Sequence, residues 1–544
     1  MPILKAIEEN FRFLVIEVKK QLEDTLKIIR GIDKEQLREK IEARDDYIDS
    51  LKNIIENKTS TFFLSSENID KSMVVYIRAI TTITSNLEKI ADYAVNISFQ
   101  TGYYKKPDFI EGYNYNIFFE KILNALSKIS ESVYRRDINL ALKICKTEIE
   151  VDNHYSEIIA KIIKELEKRN DVENLITTLF IFQYLERIGD SILNIGEAIM
   201  SIVLGERIKV HQYQAIADTI YQGIDDGGEY EIEAVAESRS GNVIRRVREV
   251  AFEKSSWVIF KEGKATKIDK EKEGIEVWAK IDPAIVPKIY GFEKKGNDAS
   301  IIIEYLKGRT LKDILINYSQ EDLFKALEVF TEKVFSIWEK TIEEKEINTT
   351  YFKQLSKRIE DVYTVHPEFK AKKSKIGDIE ILPLEKIISA VSILDDELKA
   401  PFSVIIHGDF NLDNIIYNEN NKTIHYIDLH RAKRADYIQD VSVFLVSNFR
   451  LPFFEKEIRE KINYSIMYFY KMASKFALEH KDNSFFARLS AGLARSYITS
   501  TRFELDKDFA KHMYLKAIYL LESLINFNSR NWNEFILPEE ILIY

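Results

Sequence analysis

From Pro2 to about Leu204, apolar side chains recur at intervals of three and four with charged residues between them. This spacing places the apolar side chains on one side of an α-helix, so it predicts helix almost throughout. The pattern breaks near Gly31, at 58–66, at 102–113, near Arg136 and near Asn170. Asp33, Asp137 and Asp171 stand where N-caps are expected. We therefore expect about six helices in two sets of three.

One segment of the first set recurs in the second. Residues 87–97 align with residues 185–195, with identical residues at six of the eleven positions. Both segments fall late in the third helix of their set. A repeat of this size predicts that a three-helix bundle has been duplicated.

Each copy of the repeat carries a Glu, an Asp four residues later and an Asn four residues after that. At 100° per residue these side chains drift by about 40° per step, so they share one face of a helix. Two such stripes could form an oxygen-rich metal site, whereas the simpler alternative is that the acids lie on solvated faces or pair with Lys and Arg. The acids are Glu88 and Asp92 in the first copy and Glu186 and Asp190 in the second, and Asp49 and Asp152 could contribute.

These motifs resemble the twin Glu-x-x-x-Asp motifs of PhoU-type phosphate-signalling regulators, six-helix proteins with two three-helix repeats. The resemblance covers residues 1–204. It implies a cytoplasmic regulatory domain with a phosphate-signalling protein as its partner, and in some members the acids carry iron or zinc. For this chain, iron or zinc on these four acids stays one of two alternatives, because carboxylate ligands alone do not fix the metal.

In the second half of the chain, two short apolar runs predict strands on either side of a polar loop. Residues 403–406 are mostly β-branched, which is typical of a buried strand. Asp409 and Asn414 follow on the loop. After a turn rich in Asn, a second apolar run, 424–427, ends at Asp428. A hairpin of this kind would bring Asp428 back beside Asn414.

Phosphoryl transfer from a nucleotide needs the groups that this loop supplies. A carboxylate must orient the attacking hydroxyl and accept its proton, and Asp409 is placed for that role. An amide oxygen and a second carboxylate must hold Mg²⁺ against the phosphates, which fits Asn414 and Asp428. The Asp-x-x-x-x-Asn spacing matches the catalytic loop of kinases. The simpler alternative is that Asp and Asn cluster here because turns favour them.

The stretch from His407 to Asp440 resembles the aminoglycoside phosphotransferase and choline kinase family, a branch of the protein kinase-like fold. The family motif is His-Gly-Asp-x4-Asn, then Ile-Asp, then a further Asp before an apolar helix, and this chain has each part. The resemblance covers about residues 225–526 and implies ATP or GTP as the phosphoryl donor. We expect His407 and Asp440 to brace the loop as structural residues.

An apolar run over 257–261 predicts a strand that ends at Lys261. Kinases place on such a strand the Lys that pairs with the nucleotide phosphates and with a Glu of the next helix. Glu273, or else Glu271, is the candidate for that Glu, and the alternative for Lys261 is a surface Lys at a strand end. The resemblance implies a turn at Gly241 that covers the phosphates, although with one glycine an ordinary hairpin is an equal alternative there. It also implies that Glu304 and Leu306 bind the nucleotide at the hinge beside the adenine.

The predicted architecture is multidomain, because 544 residues are too many for one hydrophobic core. An all-α, six-helix double bundle of PhoU type over 1–204 is followed by an α+β bilobal kinase-like domain. A linker over 205–228 joins them, the N-lobe covers 229–308 and the helical C-lobe covers 309–544.

Charge and cysteine content narrow the classes of function and the location. The formal net charge of −10 argues against a nucleic-acid partner. Cys145 is the only cysteine, so an intrachain disulfide is excluded and a reducing cytoplasm is favoured. No apolar run approaches the roughly 18 residues of a membrane span, so we expect no membrane insertion.

Only eleven residues separate Asp428 from Asp440, which is too few for the long activation segment of a regulated protein kinase. The acceptor is therefore expected to be a small-molecule hydroxyl. The leading hypothesis is an ATP- or GTP-dependent, Mg²⁺-requiring phosphotransferase regulated by the PhoU-like domain. Two alternatives stay open. One is a non-catalytic nucleotide sensor that docks phosphate-transport or signalling proteins, and the other is metal-dependent hydrolysis in the helical half.

Overall fold

The structure is a computed structural model that describes residues 2–65, 69–205, 209–210, 212–213, 230–237, 243–249, 257–370, 374–376, 379–527, 529 and 531–544. It divides into two compact units, residues 1–238 with 244–257 and residues 239–243 with 258–544. Gly241 and most of the predicted linker over 205–228 lie outside the described residues.

Six long helices dominate the described part of the first unit, in the number and order that the apolar spacing predicts. They are α1 (Pro2–Ile29), α2 (Lys34–Ser65), α3 (Lys71–Gln100), α4 (Tyr115–Arg135), α5 (Ile138–Leu166) and α6 (Val172–Leu204). The first three helices pack against one another, as do the last three, and α3 packs against α6. The predicted pair of three-helix bundles is confirmed, although α2 continues through most of the break that we expected at 58–66.

The helix caps agree with the sequence prediction only in part. Asp137 accepts hydrogen bonds from two N–H groups in the first turn of α5, at 2.8 and 3.1 Å. Asp171 is the N-cap residue of α6, as predicted, with a φ of +51°. Its carboxylate accepts no backbone N–H of the first turn and instead accepts hydrogen bonds from the side chains of Lys106 at 2.9 Å and Asn174 at 3.3 Å. Asp70, which the sequence analysis missed, caps α3 through a first-turn N–H at 2.7 Å.

Glycine lets α5 and α6 approach each other closely. A Cβ at Gly196 would lie 2.4 Å from the Sγ atom of Cys145 on α5, far inside a normal contact. At Gly189, in the second copy of the repeat, a Cβ would lie 3.0 Å from a methyl carbon of Val151. Both positions are in the buried seam between the helices, so their lack of a side chain is a packing requirement.

Two strands, β1 (Tyr230–Glu237) and β2 (Val243–Glu249), follow the bundles. They belong mainly to the first unit, whereas the sequence interpretation assigned them to an N-lobe over 229–308, so the predicted boundaries stay a prediction. The second unit begins with β3 (Val258–Lys264), α7 (Ala265–Ile281), β4 (Ile289–Lys295) and β5 (Asp298–Glu304). In this sheet β5 lies between β3 and β4, antiparallel to both.

The remainder of the second unit is mainly helical, as predicted for the C-lobe. Its elements are β6 (Arg309–Thr310), α8 (Leu311–Asn317), α9 (Gln320–Thr341), α10 (Tyr351–Ser356), α11 (Ile359–Val365), β7 (Ser374–Ile376), β8 (Ile379–Ile381), α12 (Leu384–Val391), α13 (Leu394–Glu397), β9 (Val404–Ile406), β10 (Ile415–Asn418), β11 (Thr423–Tyr426), β12 (Lys433–Ala435), α14 (Ile438–Phe449), α15 (Lys456–Glu479), α16 (Phe485–Thr501) and α17 (Lys507–Ile525). Strand β10 pairs with β6 and β11, and β9 pairs with β12. No helix in the described part of the chain combines the length and the apolar character needed to cross a membrane.

A buried ionic cluster holds the start of α14 in the core. Arg488 on α16 is fully buried and pairs with the carboxylates of Asp436 and Asp482. The hydroxyl of Tyr351 donates to Asp436 at 2.8 Å and that of Tyr437 donates to Asp482 at 2.6 Å. A buried charge is tolerated only when it is paired, so these contacts fix the segment that leads into α14.

Candidate active site

The loop after β9 is tied to α14 by Asp440. The carboxylate of Asp440 accepts the backbone N–H groups of His407 and Gly408 at 2.7 and 2.8 Å. Burial raises the pKa of Asp440 to about 7 although these two bonds oppose the shift. The His407 ring is also fully buried, and its Nε2 atom donates to the carbonyl oxygen of Ile427 at 2.9 Å. The loop is therefore anchored both to α14 and to the end of β11.

The glycine of the loop is required by its backbone. Gly408 has a φ of +79°, and a Cβ there would lie 2.4 Å from the carbonyl oxygen of Arg431. Only glycine fits such a conformation and such an approach. This geometry requires Gly at this position, and it directs Asp409, the next residue, to a cavity.

Asp409 presents a carboxylate that is 20% exposed at the wall of this cavity. Its Oδ1 atom accepts a hydrogen bond from Asn411 at 2.8 Å and lies 3.3 Å from a guanidinium nitrogen of Arg431. Asn414 donates its Nδ2 to the backbone carbonyl of Asp409 at 2.9 Å. Its amide oxygen then has no donor among the described residues and stays available to a ligand.

The predicted hairpin is present and brings Asp428 to the same region. Strands β10 and β11 pair in antiparallel register, and the N–H of Ile427 donates to the carbonyl of Asn414 at 3.1 Å. Asp428 is 31% exposed, lines the cavity and lies 3.7 Å from the Nζ atom of Lys261. Burial alone would raise the pKa of Asp428, but the neighbouring His430 and the charge of Lys261 outweigh it and lower that pKa.

These oxygens fit the divalent cation that the kinase-like fold implies. The amide oxygen of Asn414 and the carboxylate of Asp428 are hard ligands, and Mg²⁺ is usually held in nucleotide sites by one or two such side chains together with phosphates. The lowered pKa keeps Asp428 ionised, which such a ligand requires.

Lys261 pairs with Glu271, so Glu273 as its partner was wrong. Lys261 lies inside β3, which continues three residues beyond the predicted end, and its ammonium contacts the Glu271 carboxylate. On α7, Ile268, Glu271 and Ile275 are buried at intervals of three and four, whereas Glu273 is exposed between them. Glu271 therefore faces the sheet, and Glu273 lines the cavity instead.

The hinge candidates lie apart from the lining of the cavity. Glu304 ends β5, where its carboxylate accepts the N–H of Lys288 at 3.2 Å. Leu306 is half-buried just beyond the strand. Neither residue is among the described residues that line the cavity, and their assignment to the nucleotide stays a prediction, as does that of Gly241.

The cavity has a volume of about 1530 Å³ and a strongly basic lining. Pockets for one drug-sized ligand are typically about 300–1,000 Å³, so this space can hold a nucleotide and a second molecule. The sequence analysis missed this basic character, because the residues come from separate elements and form no local pattern. The basic side chains are Lys267, Lys270, Lys312, Lys353, Lys357, Arg358, Arg431, Lys433, Arg450, Arg495 and Arg502.

The repeated acids of the helical unit have mixed surroundings. Glu88 pairs with Lys52 at 2.8 Å, as the simpler alternative expected. Burial and the acids Asp190 and Asp152 raise the pKa of Glu186, and burial with Glu88 and Asp49 raises that of Asp92. Across the described ranges, no group of three or more His, Cys, Asp or Glu side chains has the arrangement of a metal site. Iron or zinc on these acids stays a prediction.

Two family models match this chain. The model of the PhoU domain matches residues 16–101 and 116–199, which are the two helical bundles. The model of the ecdysteroid kinase-like family matches residues 316–502, which include the loop with Asp409, the hairpin and α14.

Individual relatives are each similar to a part of the chain. A phosphate-specific transport system accessory protein PhoU homologue from Clostridium acetobutylicum is 26% identical over 201 residues, which cover 36% of this chain and 89% of that protein. The crystal structure of the phosphate transport system regulatory protein PhoU from Streptococcus pneumoniae is similar at 20% identity and a TM-score of 0.35, over 38% of this chain and 98% of that one. The crystal structure of choline kinase from Cryptosporidium parvum is similar at 13% identity and a TM-score of 0.37, over 60% of this chain and 98% of that one.

Proposed function

Because the chain carries a PhoU domain at its N-terminus and an ecdysteroid kinase-like domain of the protein kinase-like fold at its C-terminus, we propose that it is a phosphotransferase acting on a small-molecule hydroxyl. The observation that carries the proposal is the arrangement around one cavity. Asp409 and Asp428 both line it, and Lys261, paired with Glu271, lies 3.7 Å from Asp428.

Each residue has a role in this proposal. Asp409 orients the acceptor hydroxyl and takes its proton, while Asn414 and Asp428 hold Mg²⁺ and Lys261 contacts the phosphates. The cation, when bound, neutralises charge on the phosphates of ATP or GTP. The acceptor oxygen bonds to the γ-phosphorus, and the bond from that phosphorus to the bridging oxygen breaks. Its electron pair leaves with the nucleoside diphosphate. We assign His407 and Asp440 to bracing the loop that carries Asp409.

The helical unit is proposed to be the regulatory part. Its relatives are described as accessory proteins of phosphate transport, so we infer that it contacts a phosphate-transport or signalling protein. The PhoU family model matches both three-helix bundles, which supports a docking role of this kind.

The test is Asp409→Asn with Asp413→Asn as its matched control. Asp413 lines the same cavity four residues later, is 59% exposed and pairs with Lys312, so its loss removes the same charge without touching the proposed base. We expect Asp409→Asn to lower Mg²⁺-dependent nucleoside triphosphate turnover by about 10²–10⁴-fold, the usual contribution of a general base. Asp413→Asn should stay within about threefold.

Nucleotide affinity, measured by calorimetry with a non-hydrolysable ATP analogue, should be unchanged in both variants. Normal turnover by Asp409→Asn would contradict the assignment of the base. Nucleotide binding by the natural chain without any turnover would favour the non-catalytic sensor instead.

A further inference from the structure

The charges around the cavity separate into two groups. Lys261, Lys267 and His430 are the basic neighbours of Asp428. Arg358, Arg431 and Arg495 surround Asp409 instead. In the proposed reaction the phosphates lie beside Lys261 and Asp428, so the three arginines belong to the side from which the acceptor approaches.

The arginines around Asp409 carry more positive charge than the carboxylates there balance. The Arg358 side chain makes no ion pair or hydrogen bond with any described residue, although it is half-buried. Burial and the like charges of Arg431 and Arg502 lower the pKa of Arg358. The nearby carboxylates do not offset this excess of positive charge. Asp409 already contacts Arg431, and the exposed Asp361 pairs with Arg502 at 2.8 Å.

Two of these guanidinium groups have unused donors. Arg495 is 4% exposed and lines the cavity, and its Nη2 atom donates to Ser442 at 3.2 Å. Its Nε atom is buried and has no partner among the described residues, and the same holds for the Nε atom of Arg502. Unpaired buried donors are costly in an isolated protein, and a bound oxyanion would satisfy them.

We propose that the acceptor is an anion, a small molecule that carries a phosphate or carboxylate group besides the hydroxyl to be phosphorylated. Arg358, Arg495 and Arg502 hold that acidic group and so position the hydroxyl at Asp409. Guanidinium groups bind both oxyanions through charge-assisted hydrogen bonds. Amino alcohols and other cations are repelled by the same cluster. The inference rests on the proposed phosphotransferase activity.

The first experiment measures oxyanion binding without turnover. The full chain, saturated with Mg²⁺ and a non-hydrolysable ATP analogue so that the nucleotide subsite is filled, is titrated calorimetrically with inorganic phosphate and separately with acetate. We expect binding that weakens about tenfold, or about 1.4 kcal/mol, in each of Arg358→Gln and Arg502→Gln. Lys471→Gln, an exposed residue of α15 outside the cavity lining, is the charge-matched control and should leave binding unchanged.

The two anions identify the acidic group, since tighter binding of phosphate indicates a phosphate ester and tighter binding of acetate a carboxylic acid. The inference would be overturned if neither anion bound, or if Arg358→Gln bound the anions as tightly as the unsubstituted chain.

The second experiment compares acceptors that differ only in charge. Transfer of phosphate from ATP and from GTP is measured to glucose, glucose 6-phosphate, gluconate and glucosamine. Transfer to an anionic member with a KM at least tenfold below that for glucose supports the inference. Preference for glucosamine would overturn it while leaving the phosphotransferase proposal intact. Failure of the proposed function gives a different result, namely no Mg²⁺-dependent nucleotide turnover with any acceptor or with water.

Discussion

The pairing of Lys261 with Glu271 predicts that two neighbouring glutamates of α7 respond differently to the same substitution. In Glu271→Gln the negative charge beside Lys261 is lost, whereas Glu273→Gln removes an identical charge from an exposed position on the same helix. The two variants therefore differ only in the direction that the side chain faces.

The magnitude follows from burial. The Lys261 side chain is 5% exposed and that of Glu271 is fully buried, so solvent cannot replace the lost partner. Breaking a buried ion pair by removing one member typically costs about 3–5 kcal/mol. Asp428 still lies 3.7 Å from the ammonium, which favours the lower end of that range. Oε2 of Glu271 is buried and has no hydrogen-bond partner among the described residues, so the new amide would gain no partner there.

We expect Glu271→Gln to destabilise the second unit by about 3 kcal/mol and Glu273→Gln by less than about 0.5 kcal/mol. Urea unfolding followed by tryptophan fluorescence measures this, because three of the four tryptophans, Trp278, Trp338 and Trp532, lie in that unit. With a slope of about 3 kcal/mol per molar, the midpoint should fall by about 1 M. Turnover should fall by about 10²-fold in Glu271→Gln, since a small misplacement of a phosphate-contacting group is enough for such a loss. Equal stability and equal turnover of the two variants would refute the assignment.

Two further predictions concern packing. Arg488→Met should destabilise the second unit by about 3–5 kcal/mol, because it leaves two buried carboxylates without their cation, whereas Lys471→Met at an exposed position should have little effect. Gly196→Ala should destabilise the helical unit by about 1–3 kcal/mol, because the added methyl group would overlap Cys145. This cost outweighs the higher helix propensity of alanine. Gly112→Ala, where a Cβ meets nothing within 4 Å, is the control for thermal unfolding measured by circular dichroism.

The loop and hairpin of the candidate site were predicted from sequence because they form one local unit. Asp409, Asn414 and Asp428 stand within twenty residues of one another, on a loop and hairpin whose pairing follows from two apolar runs. The six helices were predictable for a similar reason, because their apolar spacing and their repeat are also local. Glu271 could have been chosen over Glu273 by the same reasoning, since only Glu271 is in phase with the buried Ile268 and Ile275 on α7.

The acceptor side could not be predicted in that way. Arg358 precedes α11, Arg495 lies on α16 and Arg502 follows it, so their proximity depends on how distant helices pack. No motif or period in the sequence joins Arg358 to Arg495 and Arg502, which follow it by more than a hundred positions. Buried Arg488 illustrates the same limit, because its partner Asp436 lies 52 positions earlier in the chain.

The charge of the whole chain and the charge of the cavity have opposite signs, and this contrast bears on the acceptor. The chain has a formal net charge of −10, while the cavity is lined by eleven basic and five acidic side chains. A cleft that is lined mainly by charges of one sign, between low-dielectric walls, concentrates the electric field locally. A small anion is therefore attracted into this cavity. A large polyanion such as a nucleic acid would also meet the negative remainder of the surface. The distribution therefore favours small anionic molecules over anionic macromolecules, which is the selectivity that a phosphotransferase for an acidic metabolite requires.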